Sequence, residues 1–270
     1  EDYWDGDRSR QSVSDEGKGL RERHWRKEDE LGVDDVPSND VSYDDQVIDS
    51  GAMVGAVKER FTWDGDTVGI DTYFAMARGL QEKDLEGEGE GVQAMEMTKW
   101  FNTNYHYLVP ELSRDTDFSL SSTEPIDAYE EANTHCIDTR PVLVGPVSFL
   151  LLGKTREDDF DALDLLDDLL PVYAEVLERL ADAGADAVQI DEPTLVADRT
   201  DAERAAYTRA YDALADAADV DIHVATYFGS LAENLPTALD LPVESLHLDL
   251  VRGEGQLDAA LDRGVPDDLS

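Results

Sequence analysis

The strongest constraint on the fold is an alternation in the second half of the chain. Four short β-rich runs, at 142–144, 187–190, 222–226 and 245–250, are separated by stretches of helical periodicity. Residues 158–184 (DDFDALDLLDDLLPVYAEVLERLADAG) put Leu163, Leu166, Leu170, Val176, Leu177 and Leu180 on one face at helical spacing. Pro171 is expected to kink or divide that helix, and Gly184 to stop it. A second helix is predicted over 198–218, with Ala202, Ala206, Tyr207, Ala210, Tyr211 and Leu214 inward, and a shorter one over 231–239. Strand and helix in this order imply right-handed crossovers and a parallel sheet. No G-x-G-x-x-G follows a strand; the GEGEG at 87–91 opens no helix. A (β/α) barrel, with its sites where strands end, fits better than a dinucleotide fold.

The first half is less regular. Residues 12–31 read as a charged helix with Leu20, Trp25 and Leu31 on a sparse apolar side, stopped by Gly32. VDDVPSND (33–40) is a short apolar step ending in a turn. Residues 43–56 read as a helix, and the acidic, Gly-rich 80–92 as a mobile surface loop.

The ends of the β-rich runs carry polar and aromatic groups: Gly145 and Pro146, then Asp191 and Glu192, then Thr226, Tyr227 and Phe228, then His247, Asp249 and Arg252. Asp191 and Glu192 could bind a cation, accept amine hydrogens or do acid–base work; equally, one of them caps the helix that follows. His247 lies between Leu246 and Leu248 and reads as a core histidine. No nucleophile elbow, phosphate loop or H-E-x-x-H is present.

Charge removes several function classes. The chain has 63 acidic and 22 basic residues, six of them lysine, for a net charge of −41. It lacks the cationic footprint of a nucleic-acid binder and would be repelled by an anionic membrane surface. No apolar run is long enough to span a bilayer. Few lysines and many carboxylates resemble proteins of salt-loving organisms, because in strong salt the Debye length falls to about 3 Å. One cysteine, Cys136, cannot form an internal disulfide, which fits a cytoplasmic protein. With His135 it supplies too few ligands for zinc.

Against that background, EMTKWFNTNYHYLVPE (96–111) stands out. Four aromatics, two asparagines and His106 surround Lys99, with acidic residues only at the two ends. This segment closely resembles the signature of the cobalamin-independent methionine synthase family. So do YWDG (3–6), LRERHW (20–25), YDDQVIDS (43–50), DTYFAMARG (71–79), RPVLVGPVSFLLLGK (140–154), LPVYAEVLERL (170–180), VQIDEPTLV (188–196), ATYFGSLAENL (225–235) and LHLDLVRG (246–253), in the same order.

The resemblance implies an incomplete (β/α)8 TIM-type barrel with an N-terminal helical extension, part of the N-terminal barrel of a two-barrel enzyme. The first strand, the last strands and the C-terminal barrel would be absent. The family moves a methyl group from 5-methyltetrahydrofolate polyglutamate to homocysteine, giving methionine. Zinc in the C-terminal barrel holds the homocysteine sulfur as thiolate. Lys99 matches the family lysine that contacts folate, and a polyglutamate tail needs such a cation on so acidic a chain. The neighbours Trp100, Asn102, Asn104, Tyr105, His106 and Tyr107 are expected to position that lysine and limit water access, Trp100 and Phe101 chiefly by packing. Asn104, His106, Asp191 and Glu192 are the further site-lining candidates. No catalytic residue and no metal ligand is expected in this segment. Gln46 stands where the family usually carries histidine, and PSND (37–40) replaces its Pro-x-Gly-Asp-Phe. Alone, the segment is expected to be inactive and marginally stable, with open strand edges. The competing readings are a non-catalytic binding domain for an anionic pterin and another barrel enzyme using Asp191 and Glu192.

Overall fold

A computed structural model describes residues 3, 7–61, 63, 65–80 and 91–264. The loop expected over 80–92 therefore lies mostly outside the described residues, as does most of YWDG. Leu80 and Val92 bond to each other in an antiparallel bridge at the base of that loop.

Helix α1 (Arg10–Leu31) opens the described chain. Ser9 caps it by accepting the Ser12 N–H, and Gly32 ends it in the left-handed region at φ 76°. The helix carries little apolar surface, so two residues anchor it. Trp25 is 1% exposed, packs with Val36, Ala132 and Ile137, and donates its indole N–H to the Pro37 carbonyl at 2.9 Å. Arg21 is also buried and pairs with Glu131 at 2.6 Å.

The next elements are strand β1 (Pro37–Ser38), helix α2 (Gln46–Met53) and helix α3 (Ile70–Arg78). The step at 33–40 is thus a strand as well as a turn. A hairpin of β2 (Met97–Lys99) and β3 (His106–Leu108) comes next, then β4 (Glu111–Leu112), α4 (Glu124–Thr134), β5 (Arg140–Val144), α5 (Pro146–Leu152) and β6 (Lys154–Thr155). The chain closes with α6 (Leu166–Asp182), β7 (Ala187–Asp191), α7 (Asp201–Ala215), β8 (Asp221–Ala225), α8 (Leu235–Leu239), β9 (Ser245–His247) and α9 (Gln256–Arg263).

The main sheet has the order β1-β5-β7-β8-β9, with every neighbouring pair parallel. Spatial order equals chain order, so the sheet is singly wound, as in a barrel, and does not reverse as in a dinucleotide fold. Among the described residues it stays open, with β1 and β9 at its edges. This is the α/β class expected from the sequence.

One face of the sheet packs against helices. Leu143, Val188, Ile190, Ile222 and Val224 meet the apolar faces of α6 and α7 in one cluster that includes Tyr173, Leu177, Leu180, Tyr207, Tyr211 and Leu214. The tyrosines are 0% exposed. Pro171 neither divides nor ends α6, which runs through it; a 3-10 turn over 162–165 precedes the helix. The other face carries the opposite set of side chains, because strand residues alternate. Val142, Gln189, His223 and Ser245 share one row, and Val144, Asp191, Ala225 and His247 the next.

Candidate functional site

The site forms where β7, β8 and β9 end. Asp191 closes β7 on the open face. Its Oδ1 accepts from Gln189 Nε2 at 2.8 Å, and its Oδ2 accepts from the Tyr227 hydroxyl at 2.9 Å. Gln46, at the start of α2, donates to the same Tyr227 oxygen at 3.4 Å. Burial raises the pKa of Asp191, and the bonds from Gln189 and Tyr227 oppose that rise. Burial and the neighbouring Asp191 likewise raise the pKa of Tyr227.

Glu192, the next residue, points the other way. It is 0% exposed, behind the sheet. Its Oε2 accepts the Ser148 N–H at 2.8 Å, and its Oε1 accepts from the Tyr211 hydroxyl at 3.2 Å. It therefore satisfies the open N-terminus of α5, the helix after the neighbouring strand, and not the helix that follows itself. Burial pushes its carboxyl up to about 7. The approach is so close that a Cβ on Gly145 would lie 2.1 Å from Oε1. Asp191 and Glu192 thus serve different faces, and the expectation of a paired acid–base or cation site is corrected. Adjacent strand residues cannot converge on one atom.

The β2–β3 hairpin leans over the same rim. Lys99 pairs in register with His106. Trp100 is buried against Phe101 and Tyr107, with ring centroids 5.2 and 5.5 Å away. It also meets Tyr227 at 6.4 Å, while Phe101 meets Phe228 at 6.2 Å. The Tyr107 hydroxyl donates to the Leu152 carbonyl. Asp45 ties the hairpin to α2: Oδ1 accepts the N–H groups of Val47 and Ile48, and Oδ2 accepts that of Leu108 at 2.8 Å. Burial raises its carboxyl to about 6. An aspartate just before an apolar helical run was a readable cap signal, but the bond to Leu108, 63 residues away, was not.

Lys99 is exposed and, among the described residues, its side chain has no hydrogen bond or ion pair. Asn104 and His106 are exposed as well. The expectation that neighbours would shield Lys99 from water is therefore corrected. The aromatics hold up the hairpin from below, and β2 is its outer, wet strand. His247 is corrected too. It is exposed, with Nδ1 2.9 Å from the Thr226 carbonyl. Because a carbonyl only accepts, that contact calls for a proton on Nδ1. Elsewhere, His135 caps the end of α4 and Cys136 is exposed. Among the described residues, no group of three or more His, Cys, Asp or Glu could hold a metal ion. None of the described helices is long and apolar enough to cross a membrane.

A singly wound parallel sheet with a polar, aromatic-lined mouth defines a barrel-type α/β domain with its site at the C-terminal ends of the strands. The sequence matches, over residues 1–270, the family described as "Cobalamin-independent synthase, N-terminal domain", and the chain belongs to that family. It is 71% identical over 270 residues to the "5-methyltetrahydropteroyltriglutamate--homocysteine methyltransferase" of Salinibacter ruber, covering 100% of this chain and 35% of the relative. A protein of the same name from Chelativorans sp. is 51% identical over 265 residues, covering 97% of this chain and 34% of its own length. The chain thus spans about a third of the length of these relatives. The B12-independent methionine synthase structures from Listeria monocytogenes and Shewanella sp. are 17% and 14% identical. They cover 51% and 53% of this chain, and it covers 47% and 46% of theirs, with TM-scores of 0.43 and 0.44.

Proposed function

We propose that this chain is the donor-side portion of a methyltransferase that forms methionine from homocysteine and 5-methyltetrahydropteroyltriglutamate, and that Lys99 receives the donor's anionic tail. The observation that supports this reading is the state of Lys99. In a chain at −41, Lys99 is exposed and its side chain has no carboxylate partner among the described residues, which leaves it free to take an anion. It sits on a hairpin braced against the mouth by Trp100 and Phe101. The names of the relatives supply the chemistry, since a triglutamate is a string of carboxylates.

Asp191, Tyr227 and Gln46 position the floor of the mouth, and Glu192 holds α5 behind it. Asn104 and His106 flank the route to Lys99 on its wet side. Under this reading homocysteine and its zinc are handled by sequence that the relatives have beyond the matched third, in a C-terminal barrel facing this one. No step of the sulfur chemistry falls to residues described here. The two carboxylates 191 and 192 do not supply an alternative active pair, because they face apart. The reading also places the protein in a reducing cytoplasm and in a salty one, where screening relieves its self-repulsion.

The test is Lys99→Ala in the intact encoded protein. Affinity for pteroyltriglutamate should fall about 10-fold or more, matching the loss of one charge-assisted contact. Unchanged affinity would remove the assignment.

A further inference from the structure

Two phenylalanines at the mouth adopt a backbone that bulky side chains avoid. Phe101 has φ 49° and Phe228 φ 71°, both left-handed. Their rings face each other at 6.2 Å. Strain of this kind persists only where the surroundings enforce it, and it gathers at binding and catalytic sites.

Asp249 is the enforcing group on one side. Its Oδ2 accepts the Phe228 N–H at 2.8 Å, and its Oδ1 accepts the N–H groups of Val251 and Arg252, each at 2.9 Å. Its carbonyl accepts from Gln256 Nε2 at 2.7 Å. One aspartate therefore fixes both Phe228 and the turn that carries Arg252. The guanidinium carbon of Arg252 lies 5.3 Å from the centroid of the Phe228 ring. Arg252 is exposed and forms no ion pair among the described residues, and Asp249 already spends both oxygens on backbone. A guanidinium stacked on a ring keeps its N–H edge free, and that edge fits a carboxylate.

The rim thus runs from Lys99 through Trp100 and Phe101 to Phe228 and Arg252. A cation stands at each end of an aromatic floor. We infer that Arg252 is a second receptor for the donor's tail, taking a distal carboxylate of an oligo-γ-glutamyl chain whose nearer carboxylate meets Lys99, with the Phe101–Phe228 pair as the floor between them. The inference rests on the donor assignment proposed for Lys99. Phe101 follows Lys99 by two residues, and from its ring the steps to the Phe228 ring and on to the Arg252 guanidinium are 6.2 and 5.3 Å. A γ-linked glutamyl unit has five chain bonds and extends about 6 Å, so three units reach on the order of 18 Å. One glutamate reaches a single cation; three reach both.

The experiment compares pteroyltri-γ-glutamate with pteroylmonoglutamate by calorimetric titration of the intact encoded protein, with Arg252→Ala, Arg252→Lys and Lys99→Ala beside it. Arg252→Ala should lose about 10-fold in affinity for the triglutamate and nothing for the monoglutamate. Arg252→Lys should recover part of that loss. The melting temperature should not move, since Arg252 is exposed. Equal loss on both probes, or an unchanged triglutamate affinity, overturns the inference and leaves Lys99 standing. A wild type that binds neither probe, or a Lys99→Ala variant that loses nothing, removes the donor assignment and this inference with it.

Discussion

Asp191 and Glu192 are neighbours in sequence and strangers in space. Asp191 looks onto the open face, where it accepts from Gln189 and Tyr227 and so supports the ring on which the Lys99 hairpin leans. Glu192 looks into the helix-backed core, where it closes the N-terminus of α5 beneath three buried tyrosines. The two regions differ in what they tolerate. The core side has no slack, since a single added methyl at Gly145 collides with a carboxylate. The mouth side is held by rings several ångströms apart and ends in exposed side chains. Rigidity behind the sheet lets the rim be wet without losing its geometry.

The contrast predicts a graded set of outcomes. Gly145→Ala should be the most damaging, costing about 4 kcal/mol in urea unfolding, because both the backbone and a buried carboxylate must shift. A loss below about 1 kcal/mol would show that the core side is as forgiving as the mouth.

Next comes the pH dependence of Glu192. Its folded pKa of about 7 lies above the ordinary 4.5. The stabilisation is therefore complete below pH 4.5 and is lost as pH rises through 7, by up to roughly 3 kcal/mol. Asp49, raised to about 7, and Asp45, raised to about 6, act in the same direction. Glu192→Gln should flatten the slope between pH 4.5 and 7; an unaltered slope would assign it to the remaining carboxylates.

Asp191→Asn should cost only about 1 kcal/mol, for one weakened bond to Tyr227. Its effect should appear as faster amide exchange in the hairpin and not in β5 or β8. Uniform acceleration across the sheet would mean that Asp191 belongs to the core after all.

Smallest of all, Lys99→Ala should leave stability within about 0.5 kcal/mol while weakening donor binding. A large loss of stability would make Lys99 a structural residue.

The sequence made some of this legible. Helical spacing in 163–180 named the buried face of α6, and the β-rich runs named four strands of the sheet within a few residues. Hydrophobic periodicity is local, so it survives without a structure. Strand β1 was hidden because two residues show no period. Strands β2 and β3 were hidden because their pairing lies in backbone bonds across six intervening residues. At the mouth, Lys99 was singled out by resemblance and Asp191 by its place at a strand end. The division of labour between Asp191 and Glu192 was missed, although strand alternation alone predicts that they diverge. Gly145 read as a turn. Its need to admit Glu192 depends on a contact 47 residues away, which no local pattern encodes.

Asp45 holds the first turn of α2 and the amide of Leu108 with the two oxygens of one carboxyl group. The start of a helix and the inner strand of a distant hairpin therefore hang on one carboxyl group, and removing it releases both.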